Sequence, residues 1–232
     1  MSGVRVETID CPIRIRVSRE PLTLSDDEQQ TIDRAWDRLC QANPRYFNGR
    51  ILSFESFDRG SGIASARDVE YRLHAVRETM NSGVRFFGVT GLLAAVEDDQ
   101  TRYLLGRRGA SVHEYPGLWE FAPCGGIDPP PDRDLLTTGA IIGELCREAS
   151  EELGIDLSQA SPKPLALVHD EPVGSTDLVL RIELGARPAI TTGWEYPETR
   201  WLTLDEVRAL HHATGGGVIP TTLAMADRLQ DP

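Results

Sequence analysis

The stretch from Thr138 to Leu153 constrains the fold more than any other part of the sequence, because its side chains follow the period of an amphipathic helix. Projected at about 100° per residue, its apolar side chains share one face and its glutamates share the opposite face. The apolar set is Ile142, Leu145, Cys146, Ala149 and Leu153, and the acidic set is Glu144, Glu148, Glu151 and Glu152. A helix of this kind buries its apolar face against another element, so the sequence predicts a layered fold.

Strand and helix patterns alternate along the rest of the chain. Strands are predicted at residues 11–17, 50–57, 84–96, 102–107, 119–121, 165–169, 178–184 and 199–202. Helices are predicted after the capping residue Ser25 and at residues 68–80, 204–212 and 221–229. This order predicts an α+β or α/β fold, with residues 1–83 as an N-terminal α/β extension packed on the core and residues 84–232 as the main domain.

Charge and composition narrow the classes of partner. The chain carries 36 acidic against 24 basic residues, a formal net charge of −12, which would repel a long nucleic acid. It contains no apolar run of the roughly 18 residues that a membrane helix needs, and its start lacks the pattern of a secretory signal. We therefore expect a cytoplasmic protein with a small-molecule partner and without long nucleic acid or membrane; a homodimer stays open.

The acidic stripe has two interpretations. Like charges one helical turn apart repel by a few tenths of a kcal/mol per pair, and a solvated helix face is the simpler explanation. Alternatively, Glu148, Glu151 and Glu152 converge on a divalent cation, because Mg²⁺ and Mn²⁺ prefer oxygen ligands. The stripe alone does not decide between these two interpretations.

The residues around the stripe carry a family resemblance. Arg147–Ile155 reads R-E-A-S-E-E-L-G-I and resembles the second half of the Nudix box, R-E-U-x-E-E-x-G-U, in which U is apolar. Upstream, Pro116–Phe121 and Gly125–Gly126 resemble the G-x-W-x-x-P-G-G segment that precedes the box in this family. The resemblance implies a Nudix α/β/α sandwich with a mixed sheet over about Val84–Leu210, and hydrolysis of the diphosphate linkage of a nucleoside diphosphate derivative.

The resemblance also implies roles for single residues. Carried over by position, Glu148, Glu151 and Glu152 become the catalytic glutamates that bind Mg²⁺ or Mn²⁺. In this family a metal-polarised water attacks a phosphorus atom of the substrate, and metal ions do lower the pKa of bound water. Arg147 would then be structural, anchoring the loop through carboxylate pairs.

The chain departs from the family pattern in the first half of the box. That pattern requires a glycine and a glutamate where this chain has Arg133 and Gly139. The loop between Gly126 and Arg147 is also seven residues longer than the pattern allows. An alternative function is therefore a Nudix module that binds nucleotides and is catalytically impaired.

Other acidic residues could replace the missing glutamate. Glu144 lies one turn before Glu148 and is the candidate for a fourth metal ligand or for a partner of Arg147. Asp132 and Asp134, in the long loop, are the other candidates.

Three further residues, Arg107, Arg108 and Glu198, are candidates for substrate binding. Arg107 and Arg108 end a predicted strand and could hold a phosphate, or could simply be a solvated strand end. Glu195 and Glu198 lie in a loop from which Nudix enzymes supply a general base, and Glu198 is assigned to substrate binding. An ordinary exposed acid is the alternative interpretation for both glutamates.

The N-terminal extension gives an indication of the class of substrate. Asn43–Gly49 and Glu70–Arg72 weakly resemble the larger Nudix enzymes that split UDP-glucose. The extension and the proline-rich insertion at residues 128–134 could wall a larger pocket, so we expect a UDP-sugar or similar substrate in preference to a nucleoside triphosphate. Covering a sheet edge or forming a dimer contact is the alternative role for the extension.

Overall fold

The structure, a computed structural model, describes residues 3–212 and 217–229. Its strands are β1 Val4–Thr8, β2 Arg14–Ser18, β3 Arg50–Asp58, β4 Ile63–Glu70, β5 Phe86–Glu97, β6 Gln100–Arg107, β7 Trp119–Phe121, β8 Cys124–Gly126, β9 Leu135–Leu136, β10 Lys163–Asp170, β11 Ser175–Leu184 and β12 Glu198–Leu202. Its helices are α1 Asp26–Ala42, α2 Tyr71–Ala75, α3 Thr138–Leu153, α4 Leu204–His212 and α5 Pro220–Arg228. The predicted α+β class is confirmed. No helix among the described residues is long and apolar enough to cross a membrane.

The strands join into one mixed sheet. Its main path runs β1, β10, β11, β5, β3, β4, β2, β9, while β6 and β8 also pair with β5, and β7 and β12 pair with β6. β5 is the central strand: it runs parallel to β11 along the whole of that strand and antiparallel to β3, β6 and β8. Strands from both sides of residue 83 therefore share hydrogen bonds. The domain boundary at that residue stays a prediction.

Helices cover both faces of the central strands, which confirms the predicted sandwich. Alternate residues of a strand point to opposite faces. Val89 and Leu93 of β5 belong to the buried cluster that contains the apolar side of α3. Leu92 and Ala94 belong to the opposite cluster, which contains residues of α4 and α5. The unbroken apolar run of β5 follows from this burial on both sides.

Helix α3 has the bounds that the sequence predicts. Thr137 caps its first turn by accepting a hydrogen bond from the backbone N–H of Ala140, and Gly154 ends it in the left-handed conformation at φ 66°. The predicted buried face is wrong in detail. Ile141 is fully buried with Leu145, Ala149 and Leu153, whereas Ile142 and Cys146 are only partly buried. The helix is therefore rotated slightly toward Ile141, and two glutamates of the stripe, Glu148 and Glu152, lie against β8.

The N-terminal extension is partly as predicted. Ser25 and Glu28 form the predicted capping box of α1. The predicted helix at residues 68–80 is wrong, because residues 63–70 form β4 and only Tyr71–Ala75 is helical. β4 hydrogen-bonds to β2 on one side and β3 on the other, and this pairing outweighs the helical preference of its local sequence.

Candidate active site

A cleft of about 270 Å³ lies between α3, β8 and the loop that precedes β12. Four carboxylates line it: Glu120 from β7, Glu148 and Glu152 from α3, and Glu195 from the loop. Glu148 and Glu152 are one turn apart on α3 and so face the same side. The structure thus brings together two of the four glutamates of the acidic stripe.

Gly125, the first glycine of the Gly125–Gly126 pair, lets the helix approach β8 closely. A Cβ atom at Gly125 would overlap the carboxylate of Glu148. The neighbouring backbone N–H of Cys124 donates a hydrogen bond to Glu152 Oε2 at 3.3 Å. The glycines therefore serve to place backbone against these two carboxylates.

Two of these carboxylates, Glu148 and Glu152, have raised pKa values. Burial raises the pKa of Glu148 to about 7, and Glu151 and Glu195 add repulsion. Burial also raises the pKa of Glu152 well above its ordinary value, with further contributions from Glu148 and from Glu195, which hydrogen-bonds it. Buried, mutually repelling carboxylates need protons or a cation.

This donor set fits a hard divalent cation, because it offers buried carboxylate oxygens in one place. As the side chains stand, however, residues 3–212 and 217–229 contain no group of three or more acidic, His or Cys residues arranged to hold a metal ion. Part of the reason is Glu151, which is exposed and turned away, with its carboxylate 2.9 Å from Arg147 Nη1. Glu151 does not line the cleft.

Arg147 contacts three of the four glutamates of the acidic stripe. Its guanidinium donates to Glu144 at 3.0 Å, to Glu148 at 2.8 Å and to Glu151 at 2.9 Å. It also lies 3.5 Å from Asp128 at the start of the proline-rich loop. Glu144 thus contacts Arg147 and does not line the cleft, which matches the arginine-supporting alternative considered for it.

The two arginines at the end of β6 lie in different places. Arg108 is largely buried and lines the cleft, where it forms an ion pair with Glu120, which also accepts a hydrogen bond from Tyr196 Oη at 2.7 Å. Arg107 is exposed: it donates to the carbonyl of Gly117 at 3.1 Å and lies 3.7 Å from Glu198. Arg107 and Glu198 therefore form a pair outside the cleft.

An aromatic groove continues the cleft toward the N-terminal extension. It measures about 520 Å³ and shares Val112, Gly126 and Glu195 with the cleft. The exposed rings of Phe47 and Trp194 line it, although large apolar side chains are usually covered. The sequence predicts that the extension could wall a larger pocket, but it does not predict that Phe47 and Trp194, 147 positions apart, line the same groove.

Comparisons with known proteins give a similarity of fold. No protein-family model matches the chain, and neither does any curated protein. Two of the solved structures that it resembles are described as Nudix proteins. The NUDIX domain of Shewanella oneidensis NrtR, complexed with ADP ribose, is 19% identical, over 62% of this chain and 85% of that chain, with a TM-score of 0.48. RenU, a Nudix hydrolase from M. smegmatis, is 21% identical, over 62% and 83%, with a TM-score of 0.46. Such values establish neither a substrate nor an activity for this chain.

Proposed function

We propose that this chain is a Nudix hydrolase that cleaves the diphosphate linkage of a nucleoside diphosphate joined to a second group, with Mg²⁺ or Mn²⁺ as cofactor. One observation carries the proposal: the R-E-A-S-E-E-L-G-I sequence lies on α3, and it places Glu148 and Glu152 in a cleft opposite Glu195. A merely solvated acidic face would not bury these carboxylates against a glycine pair.

Glu148 and Glu152 would hold the metal, since their carboxylates are the buried oxygens of the stripe. Glu151 joins them in the proposal on the strength of the motif, and its exposed side chain can exchange Arg147 for a cation. When bound, the metal activates water and neutralises charge on the phosphoryl oxygens. Glu195 faces the same cleft and hydrogen-bonds Glu152, so it is placed to take a proton from the attacking water.

The space around the cleft favours a substrate larger than a nucleoside triphosphate. The aromatic groove offers flat rings on which a nucleobase can stack, and the N-terminal extension supplies Phe47 to it. Arg45 lies over the Trp194 ring at 4.7 Å and holds that ring in place. The weak resemblance at Asn43–Gly49 makes UDP-sugars the first substrates to test.

The experiment is a substrate panel of UDP-glucose, ADP-ribose, NADH, coenzyme A and nucleoside triphosphates, each with Mg²⁺, with Mn²⁺ and with EDTA. We expect hydrolysis only with metal, and a higher kcat/KM for UDP-glucose than for any triphosphate. Activity in EDTA would contradict the metal assignment, and a preference for triphosphates would contradict the substrate class.

A catalytically impaired binding module is the second candidate, favoured by Gly139 and by the lack of a ready three-carboxylate arrangement among the described residues. It predicts nucleotide binding with no product over the whole panel. Isothermal titration beside the hydrolysis assay separates the two candidates.

Glu144→Gln is expected to lower kcat by roughly tenfold, because the variant loses an ion pair that orients Arg147 and, through it, Glu148. KM for substrate should change little, since Glu144 does not line the cleft. The matched control is Glu183→Gln, the same change at an exposed position of β11. Unchanged kcat in Glu144→Gln would show that Arg147 needs no support from this side.

A further inference from the structure

Behind the cleft lies a second cavity, which we call the chamber, of about 180 Å³. It shares Arg108, Glu120 and Cys124 with the cleft, so the two spaces meet at the Arg108–Glu120 ion pair. Its volume equals about six water molecules at liquid density. That is room for one small ring with its substituents, and too little for a whole nucleotide.

Two residues of the chamber lining each carry one polar atom without a hydrogen-bond partner among the described residues. His74 is 3% exposed, and its Nδ1 has no hydrogen-bond partner among the described residues. Asp170 is fully buried; its Oδ2 accepts from Tyr115 Oη at 2.8 Å, while its Oδ1 has no partner in that same set. Leaving a buried polar atom unpaired costs about 1–3 kcal/mol. Because both atoms are closed off from solvent, a ligand in the chamber reaches them only when these side chains turn toward it.

Asp177 adds a third acceptor. Its Oδ1 accepts a hydrogen bond from the thiol of Cys124 at 4.0 Å, and Gly88 makes room for it, since a Cβ there would lie 2.5 Å from Asp177 Oδ1. Burial raises the pKa of Asp177 to about 7, with repulsion from Glu120 and Asp170 adding to the effect and Arg108 opposing it. Gly88 of β5 thus leaves room for a carboxyl group of β11 at a position where its negative charge destabilises the fold.

The lining of the chamber selects the kind of ligand. The lining holds four carboxyl groups, Glu114, Glu120, Asp170 and Asp177, and one arginine, Arg108, which is already paired with Glu120, so it offers little attraction to a phosphate. Carboxylates are acceptors, and they call for a ligand rich in hydroxyl or amino donors. The rings that line the chamber, Tyr71, Phe86 and Tyr115, offer apolar faces for the flat side of such a ligand.

We infer that the chamber binds a monosaccharide ring, the second group of the substrate, through hydrogen bonds from its hydroxyls to Asp170, Asp177 and His74. The inference rests on the proposed function for the diphosphate, which would lie in the adjoining cleft. It assigns sugar selectivity to residues that lie outside the R-E-A-S-E-E-L-G-I helix.

Saturation-transfer NMR of UDP-glucose in EDTA tests the inference without turnover. In the wild type the glucose protons should receive saturation at least as strongly as the uracil protons. Asp177→Asn and Val173→Phe, which fills the chamber from its rim, should each reduce the glucose signals relative to the uracil signals. Glu183→Gln is the control and should leave the ratio unchanged.

Kinetics give the second readout. Losing a hydrogen bond to a charged group costs roughly a factor of ten or more in affinity, so Asp177→Asn should raise KM for UDP-glucose by about that factor. KM for coenzyme A, whose second group is not a sugar, should not change.

Glucose saturation without hydrolysis would support the chamber and contradict the proposed function. Hydrolysis with no saturation of glucose, or with a signal that both variants leave intact, would overturn the chamber. Saturation of the choline methyls of CDP-choline in place of glucose would overturn it too, in favour of an organic cation.

Discussion

Glu152→Gln is expected to lose diphosphate hydrolysis by on the order of a hundredfold or more, because a metal ion contributes several kcal/mol to the transition state and this change removes one of its oxygen ligands. The fold should be at least as stable as the wild type. Glu152 is buried beside Glu148 and Glu195, and a neutral amide of the same size relieves their repulsion while it still accepts from the Cys124 N–H. Initial rates with Mn²⁺ and thermal unfolding in EDTA measure the two effects.

Two further variants show whether the loss of activity is specific to the metal site. Glu183→Gln makes the same chemical change on the surface of β11 and should retain full activity. Glu151→Gln changes the neighbouring residue, which pairs with Arg147 outside the cleft. Because the proposal makes Glu151 a metal ligand, Glu151→Gln should also lower the rate of hydrolysis at least about tenfold. Full activity in Glu151→Gln beside an inactive Glu152→Gln would leave Glu151 as a partner of Arg147 only, and full activity in both would remove the metal assignment.

The elements that could be predicted are those whose signals are local. Helix α4 has its predicted bounds, and the capping box placed the start of α1. β1 gave too weak a pattern to be predicted, since it is a short edge strand whose partner, β10, lies far away in sequence. The end of β4, residues 68–70, is wrongly predicted to be helical, because its state depends on two neighbouring strands and not on its own residues.

The residues of the candidate site also differ in whether local sequence signals could predict them. Glu148 and Glu152 could be found because helical spacing and the motif place them on one face of α3. Which of the stripe's glutamates face the cleft depends on how α3 is rotated against β8, and this is set by packing of Ile141 and by the close approach at Gly125. Asp177 had no signal in the sequence, because its setting is made by elements from three distant segments of the chain.

Asp177→Asn is expected to stabilise the protein in EDTA at pH 8. The pKa of Asp177 rises from its ordinary 3.8 to about 7 in the folded state. A raised carboxyl pKa means that the unfolded chain ionises first, so the wild type loses stability as pH rises from about 4 to about 7 and then stays level. A shift of this size corresponds to roughly 4 kcal/mol in all. The variant lacks this loss, and its advantage should grow between pH 5 and pH 8.

Urea unfolding of both proteins at pH 5, 6, 7 and 8 measures that advantage as a difference, in which titration of Glu148 and of other groups common to both largely cancels. A difference that does not depend on pH, or a more stable wild type at pH 8, would mean that the carboxylate has a partner in solution and is not held at a cost. If the variant is more stable and also binds UDP-glucose more weakly, then the fold tolerates Asp177 for the sake of its ligand, as expected where binding and stability place opposite demands on one residue.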